Sequence, residues 1–183
     1  MIDNYRPVAI MSAIPKMLDS IFCNKLKSLI GNLISDQQHG FMNGRSTVTN
    51  LSIFTNYLFS CIKIKSQIDT IYLDFKKAFD LVSHEVLLLK MKGYGFPRIF
   101  INWLSDYLTN RTLNVNINGT ISDPFIAGSG VPHGSHLVPI LFLLFINDIV
   151  EFIKFSQILL FADDINCLIK LMIMLTINIS KMI

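Results

Sequence analysis

Apolar residues recur at helical spacing through Ile14, Met17, Leu18, Ile21, Phe22, Leu26, Leu29 and Ile30, with Lys16, Asp19, Asn24 and Lys27 on the other side. That period, closed by Gly31, predicts an amphipathic helix. A polar loop follows from Ser35 to Ser46, and a second helix is expected from Thr47 to about Lys63, burying Leu51, Phe54, Leu58 and Ile62. Ile68 to Asp74 is short and β-prone, which predicts a strand. Ser83 is suited to cap a helix running toward Gly93, with Glu85 at its positive end and Val86, Leu87 and Met91 along it. Phe96-Pro97 restarts a helix carrying Phe100, Trp103, Leu104 and Tyr107. Leu113 to Ile117 alternates, Asn118-Gly119 predicts a hairpin turn, and Ile121 to Ile126 returns. A glycine-rich stretch from Gly128 to Ser135 leads into a helix expected from about Leu137 to Phe155. Ile158 to Phe161, the acidic turn Ala162-Asp163-Asp164, and Ile165 to Ile169 then form a strand pair. Helices mixed with hairpins imply an α+β fold rather than alternating α/β.

Composition narrows the picture. With 183 residues, 51% of them hydrophobic, the chain holds one ordinary domain with a sizeable core, or one and a fragment of another. A formal charge of +3 permits a polyanionic partner without arguing for one. Cys23, Cys61 and Cys167 form no C-x-x-C pair, so a zinc site is not expected; each is expected to be a small buried hydrophobe. The odd number suits a reducing compartment, and no signal-peptide pattern opens the chain, so an intracellular protein is expected, with cytoplasm and nucleus both open. The longest apolar run, Leu137 to Ile146, contains Pro139 and falls short of the roughly 20 residues that span a bilayer, so no membrane partner is expected.

Two acidic sites stand where strands end. Asp74 terminates one apolar strand, and Asp163 and Asp164 form the tip of a hairpin with uncharged flanks. A lone Asp at a strand end is ordinarily a turn residue, and Asp-Asp in a loop is ordinarily solvated. Were the strands neighbours, however, three carboxylates would converge, an arrangement suited to two divalent ions about 3.5–4 Å apart. Oxygen donors without His or Cys favour magnesium over zinc.

Further segments carry a resemblance. Tyr5-Arg6-Pro7-Val8, then Gln38 to Thr47, then Asp74-Phe75-Lys76-Lys77-Ala78-Phe79-Asp80 with Val82 and His84, then Gly130 to Pro139 continuing through Leu141 to Ile149, and finally Phe161-Ala162-Asp163-Asp164 occur in order. Together they resemble the motifs of the reverse transcriptase of non-LTR (LINE-like) retrotransposons. The resemblance implies a polymerase palm, an antiparallel sheet backed by helices, at residues 67–170. It also implies a partial helical fingers region at 1–66 and a divergent or truncated apolar tail at 171–183.

It implies RNA-directed DNA polymerisation with two Mg2+ ions (Mn2+ as a substitute), deoxynucleoside triphosphates, an RNA template and a DNA primer. Asp74, Asp163, Asp164 and the backbone carbonyl of Phe75 correspond to the metal-binding groups. Arg45, Phe75, Ala78, Phe79, His133 and Gly134 correspond to the nucleotide-binding ones. Phe79 occupies the position of an aromatic that crowds the sugar 2′ position and excludes ribonucleotides; a core aromatic and a surface arginine are the plainer readings of Phe79 and Arg45.

His133 stands where the family carries Gln, Val138 where it carries Gly, and Met42 where relatives often carry Arg. Nothing after Ile169 resembles the thumb or remaining palm motifs, and no endonuclease segment precedes Asn4, so a fragment is expected. Its alternative reading is an inactive remnant with at most weak nucleic-acid binding.

Overall fold

The structure, a computed structural model, describes residues 8–109 and 111–171. Tyr5 to Pro7 of the first motif and residues 172–183 of the expected tail lie outside the described residues. The chain clusters into two compact units. One holds the described residues up to Asp36 together with Phe75–Ile149; the other holds Gln37–Asp74 and Val150 to residue 171.

The first unit is helical. It contains α1 (Ala13–Ile30), α3 (His84–Gly93), α4 (Arg98–Thr109) and α5 (Val138–Ile146). Ser83 caps α3, accepting a hydrogen bond from the Val86 amide, with Glu85 in the first turn and Lys90 and Lys92 in the last. These charges complement the helix dipole at both ends. α5 is apolar all round and correspondingly buried, from Ile140 through Leu144. α1 and α3 pack on it, and α3 also packs on α4. Leu87, Met91, Leu104, Leu108, Leu141 and Leu144 form the centre of that core.

Between α4 and α5 run four two-residue strands. β2 (Thr112–Leu113) pairs with β5 (Phe125–Ile126), and β3 (Asn116–Ile117) with β4 (Thr120–Ile121). Asn118 and Gly119, both at positive φ, make the expected tight turn.

Three expectations need correction here. The face that α1 buries is Asp19, Cys23, Leu26 and Ile30, whereas Ile14, Met17, Leu18, Ile21 and Leu29 are exposed. The helix is rotated toward its polar side because Asp19 accepts a hydrogen bond from the His136 amide (2.6 Å) and Cys23 Sγ donates to the His136 carbonyl (3.1 Å). The helix expected to reach Phe155 stops at Ile146, and only a short α6 (Ile149–Phe152) follows. Asn147 keeps helical backbone angles (φ −55°, ψ −35°), but its side chain donates to the Leu33 carbonyl and accepts from the Ser35 amide, while Asp148 pairs with Lys90.

The third correction concerns the second unit, built of α2 (Thr47–Lys63), β1 (Gln67–Asp74), β6 (Gln157–Phe161) and β7 (Asp164–Leu171). α2 begins with a reciprocal capping box between Ser46 and Thr49. It buries Asn50 and Cys61, while Leu51 and Ile62 are exposed and Phe54 and Leu58 only half-buried. Asn50 is drawn inward because its amide donates to the Leu160 carbonyl (3.1 Å).

The sheet is antiparallel in the order β1-β7-β6. The free edge of β6 is covered by the loop at Gln38, where the Leu160 amide donates to the Gln37 carbonyl and the His39 amide to the Leu160 carbonyl. All three cysteines are free and buried, as expected. Among the described residues no helix is long and apolar enough to cross a membrane.

Candidate active site

Two strand ends meet in the second unit. The register runs from Gln67 opposite Leu171 to Asp74 opposite Asp164, so the acid that closes β1 faces the acid that opens β7. Phe161 pairs with Asp164 across the turn, leaving Ala162 and Asp163 as its two tip residues. Ala162 lies in the left-handed region (φ 56°), where a residue with a Cβ is strained by about 1 kcal/mol.

Directly opposed residues of an antiparallel pair present their side chains on one face. Asp164, rather than Asp163, is therefore the cross-strand neighbour of Asp74. Partial desolvation, then the negative charges of Asp163 and Asp74, hold the Asp164 carboxyl above the usual carboxylate range. The residue as a whole is exposed, so water tempers the effect.

Among the described residues none of these three acids has a salt-bridge partner, and no three His, Cys, Asp or Glu side chains close into a cage around one ion. The donor chemistry, carboxylate oxygen without nitrogen or sulfur, suits a hard divalent cation. An open cleft of about 520 Å3 adjoins the acids between α2 and the sheet, lined among others by Asn50, Phe54, Tyr72, Phe161 and Asn166.

The acidic turn is gripped by the polar loop. Gln38, almost fully buried, accepts from the Ala162 amide (2.9 Å) and the Gly40 amide (2.7 Å) through Oε1, while its Nε2 donates to the Ala162 carbonyl (3.3 Å). Gly40 is there for space: an added Cβ would overlap the Ala162 nitrogen and lie 2.8 Å from its Cα. Arg45 Nη1 donates to the Gln38 carbonyl (2.7 Å).

His39 is buried, with Nδ1 2.8 Å from Thr49 Oγ1 and Nε2 without a hydrogen-bond partner among the described residues. Thr49 spends its hydroxyl proton on the Ser46 carbonyl, so His39 Nδ1 is the donor and Nε2 carries a bare lone pair. Burial, and then the Arg45 charge, lower the His39 pKa.

In the first unit the segment after Asp74 is laced to the glycine-rich segment. The Val131 amide donates to the Phe79 carbonyl, the Gly130 amide to the Val82 carbonyl and Ser129 Oγ to the Asp80 carbonyl. His84 Nε2 donates to the Gly130 carbonyl (2.7 Å). Gly130, at φ 83°, approaches the Asp80 backbone so closely that a Cβ would lie 2.7 Å from its carbonyl oxygen.

His133 Nε2 lies 3.0 Å from Asp80 Oδ1, and its ring meets Phe79 edge-on. Phe79 also packs on Phe142 with ring centres 4.6 Å apart. Gly134, at φ 106°, leaves no room for a Cβ beside the Ala9 carbonyl. Phe75 is exposed and Ala78 half-buried. Tyr107 lies 3.1 Å from Ser135 Oγ and 3.4 Å from Asp19 Oδ1. Burial pushes its hydroxyl up to about 12, the Ser135 hydrogen bond opposing the rise and the Asp19 charge adding to it.

Residues 2–180 match the family described as reverse transcriptase (RNA-dependent DNA polymerase). The chain belongs to this family. Its relatives are polymerases of non-LTR retrotransposons. The probable RNA-directed DNA polymerase from transposon BS of Drosophila melanogaster is 30% identical over 149 residues, covering 80% of this chain and 16% of that protein. The RNA-directed DNA polymerase from mobile element jockey of Drosophila funebris is 29% identical over 178 residues, covering 92% of this chain and 19% of the relative. The chain thus spans under a fifth of the length of these relatives.

Among solved structures, telomerase from Candida tropicalis in complex with a TWJ fragment of telomeric RNA matches with a TM-score of 0.57 at 15% identity. That match covers 86% of this chain and 29% of the telomerase chain, and it establishes the α+β polymerase-palm fold.

Of the residues expected from sequence, Asp74 and Asp164 face each other with Asp163 in the adjoining turn in one unit, and Phe79 meets His133 in the other. The sequence pattern set Asp19 on the polar side of α1, carried Gln38 and Asp80 only as parts of motifs, and gave Asn50 no role. Their polar character marked them as surface or loop residues, and no local pattern distinguishes a polar side chain that will be buried against a backbone far along the chain.

Proposed function

We propose that this chain is the nucleotide-adding core of an RNA-directed DNA polymerase, extending a DNA primer on an RNA template with deoxynucleoside triphosphates. The observation that carries the reading is the register setting Asp74 opposite Asp164, next to Asp163 in the turn. Like charges directly opposed across strands are unfavourable by roughly 0.2–1 kcal/mol. A sheet selected for stability alone has no use for that arrangement, whereas a cation converts it into a binding site.

Asp74 and Asp163 are assigned as principal cation ligands, with Asp164 in support and the Phe75 carbonyl as a further donor. These groups would hold magnesium, with manganese as a substitute, and the bound cation would supply positive charge for phosphoryl transfer from the triphosphate to the primer 3′-hydroxyl. Arg45 is assigned to the triphosphate, its guanidinium exchanging the Gln38 carbonyl for phosphate oxygens.

Ala78, Phe79, His133 and Gly134 are assigned to the nucleotide. Phe79 excludes a 2′-hydroxyl by bulk, and its packing on Phe142 keeps the ring from moving aside. His133 replaces the family's glutamine as a hydrogen-bonding side chain and is oriented by Asp80.

A second reading, an inactive remnant, is favoured by one observation: the acids do not close into a three-ligand cage. Primer extension on poly(rA)/oligo(dT), wild type against Asp163→Asn, separates the two. Extension by the wild type that disappears in the variant supports the polymerase. Extension equal in both removes the acids from the reaction, and none in either supports the remnant.

A further inference from the structure

We propose that Gln38 and Gly40 are positioning residues for the acidic turn, clasping Ala162 so that Asp163 and Asp164 are presented to a divalent cation. The inference rests on the reading of those acids as cation ligands. Ala162 occupies backbone conformation that disfavours its own Cβ, so the turn does not hold its shape through local preference. The compensation comes from a loop more than a hundred positions away along the chain.

Oε1 of Gln38 accepts from the Ala162 amide and Nε2 donates to the Ala162 carbonyl, so one side chain satisfies both backbone polar groups of the strained residue. Gln38 is itself fixed: its Oε1 also receives the Gly40 amide, and its backbone lies beside Leu160 as a short parallel bridge. Gly40 lets the loop lie against the Ala162 backbone, and any larger residue there pushes the turn away. The residue after Ala162 is Asp163, so a displacement of the clasp is delivered directly to the acids. Outer partners that orient metal ligands typically influence metal affinity 10–100-fold when removed.

The test uses Gln38→Met, which keeps the side chain's length and removes its hydrogen bonds, and Gly40→Ala, which keeps Gln38 and crowds the turn. Cys61→Ala, a core truncation in the same unit, controls for general loosening. Two measurements are read on the whole chain: amide hydrogen exchange by NMR, and Mn2+ affinity by water-proton relaxation.

In Gln38→Met the Ala162 and Gly40 amides should exchange at least about tenfold faster while the β6–β7 ladder amides keep their rates. In both clasp variants Mn2+ affinity should fall about 10–100-fold, and Cys61→Ala should bind Mn2+ as wild type does. If Asp163→Asn abolishes Mn2+ binding while both clasp variants bind normally, the clasp is overturned and the site stands. Mn2+ binding undiminished in Asp163→Asn overturns the site and the clasp with it. Exchange that rises uniformly across the sheet in Gln38→Met reduces Gln38 to a structural residue.

Discussion

The two units solve different problems with the same kinds of residue. In the first, Leu87, Met91, Leu104, Leu108, Leu141 and Leu144 are fully enclosed, and polar groups such as Asp19 and Asn147 enter only to tie helix ends together. In the second, β1 leaves Ile71, Tyr72 and Leu73 exposed, like charges oppose each other at the strand ends, an alanine sits at positive φ, and a buried histidine nitrogen has no partner among the described residues. The first unit rests on an enclosed helical core, although one side of α1 stays exposed; the second places several unfavourable features on the strands and loops that carry Asp74, Asp163 and Asp164. Under the proposed cation-binding role, such local costs are what a site accepts when the position of its acids matters more than stability.

The comparison is sharpened most strongly by removing core volume. Leu104→Ala in the first unit should lower stability by about 2–5 kcal/mol in urea titration, since the surrounding helices only partly collapse on the cavity. A loss under about 1 kcal/mol would mean the helical core is looser than its burial implies.

Next in size is cation linkage. At a hundred times its Kd, magnesium should stabilise the wild type by about 2.7 kcal/mol and leave an Asp74→Asn/Asp164→Asn double variant unmoved, as read from thermal melts. Equal shifts in both proteins would place any bound ion elsewhere.

Third comes His39. Its pKa is lowered in the folded chain, so below the ordinary 6.5 the unfolded chain takes up a proton that the folded one resists. The stability contributed by the neutral ring is complete above about pH 6.5 and is lost as pH falls, by at most about 1.4 kcal/mol per pH unit. His39→Gln should flatten that slope between pH 6.5 and 5.

The smallest effect has the opposite sign. Asp164 is raised above 3.8, so the folded chain holds its proton more tightly and loses stability as pH rises through the carboxylate range. Asp164→Asn should therefore stabilise the protein at pH 7 by less than about 1 kcal/mol, with no gain below about pH 3.8. A variant less stable than wild type at pH 7 would mean Asp164 is a structural acid after all.

The sequence by itself determined the order of helices and strands, the Ser83 cap, the Asn118-Gly119 turn and the two acidic strand ends, because periodicity, capping and turn chemistry act over a few neighbouring residues. It also carried enough ordered motifs to show the family. Only the tertiary structure decided which side of α1 and α2 turns inward, where α5 stops, that Asp164 is the residue facing Asp74, and that Gln38 holds Ala162. Each of those depends on a hydrogen bond or strand register joining positions tens to more than a hundred residues apart. A polar side chain gives no local sign of whether water or a distant backbone will be its partner.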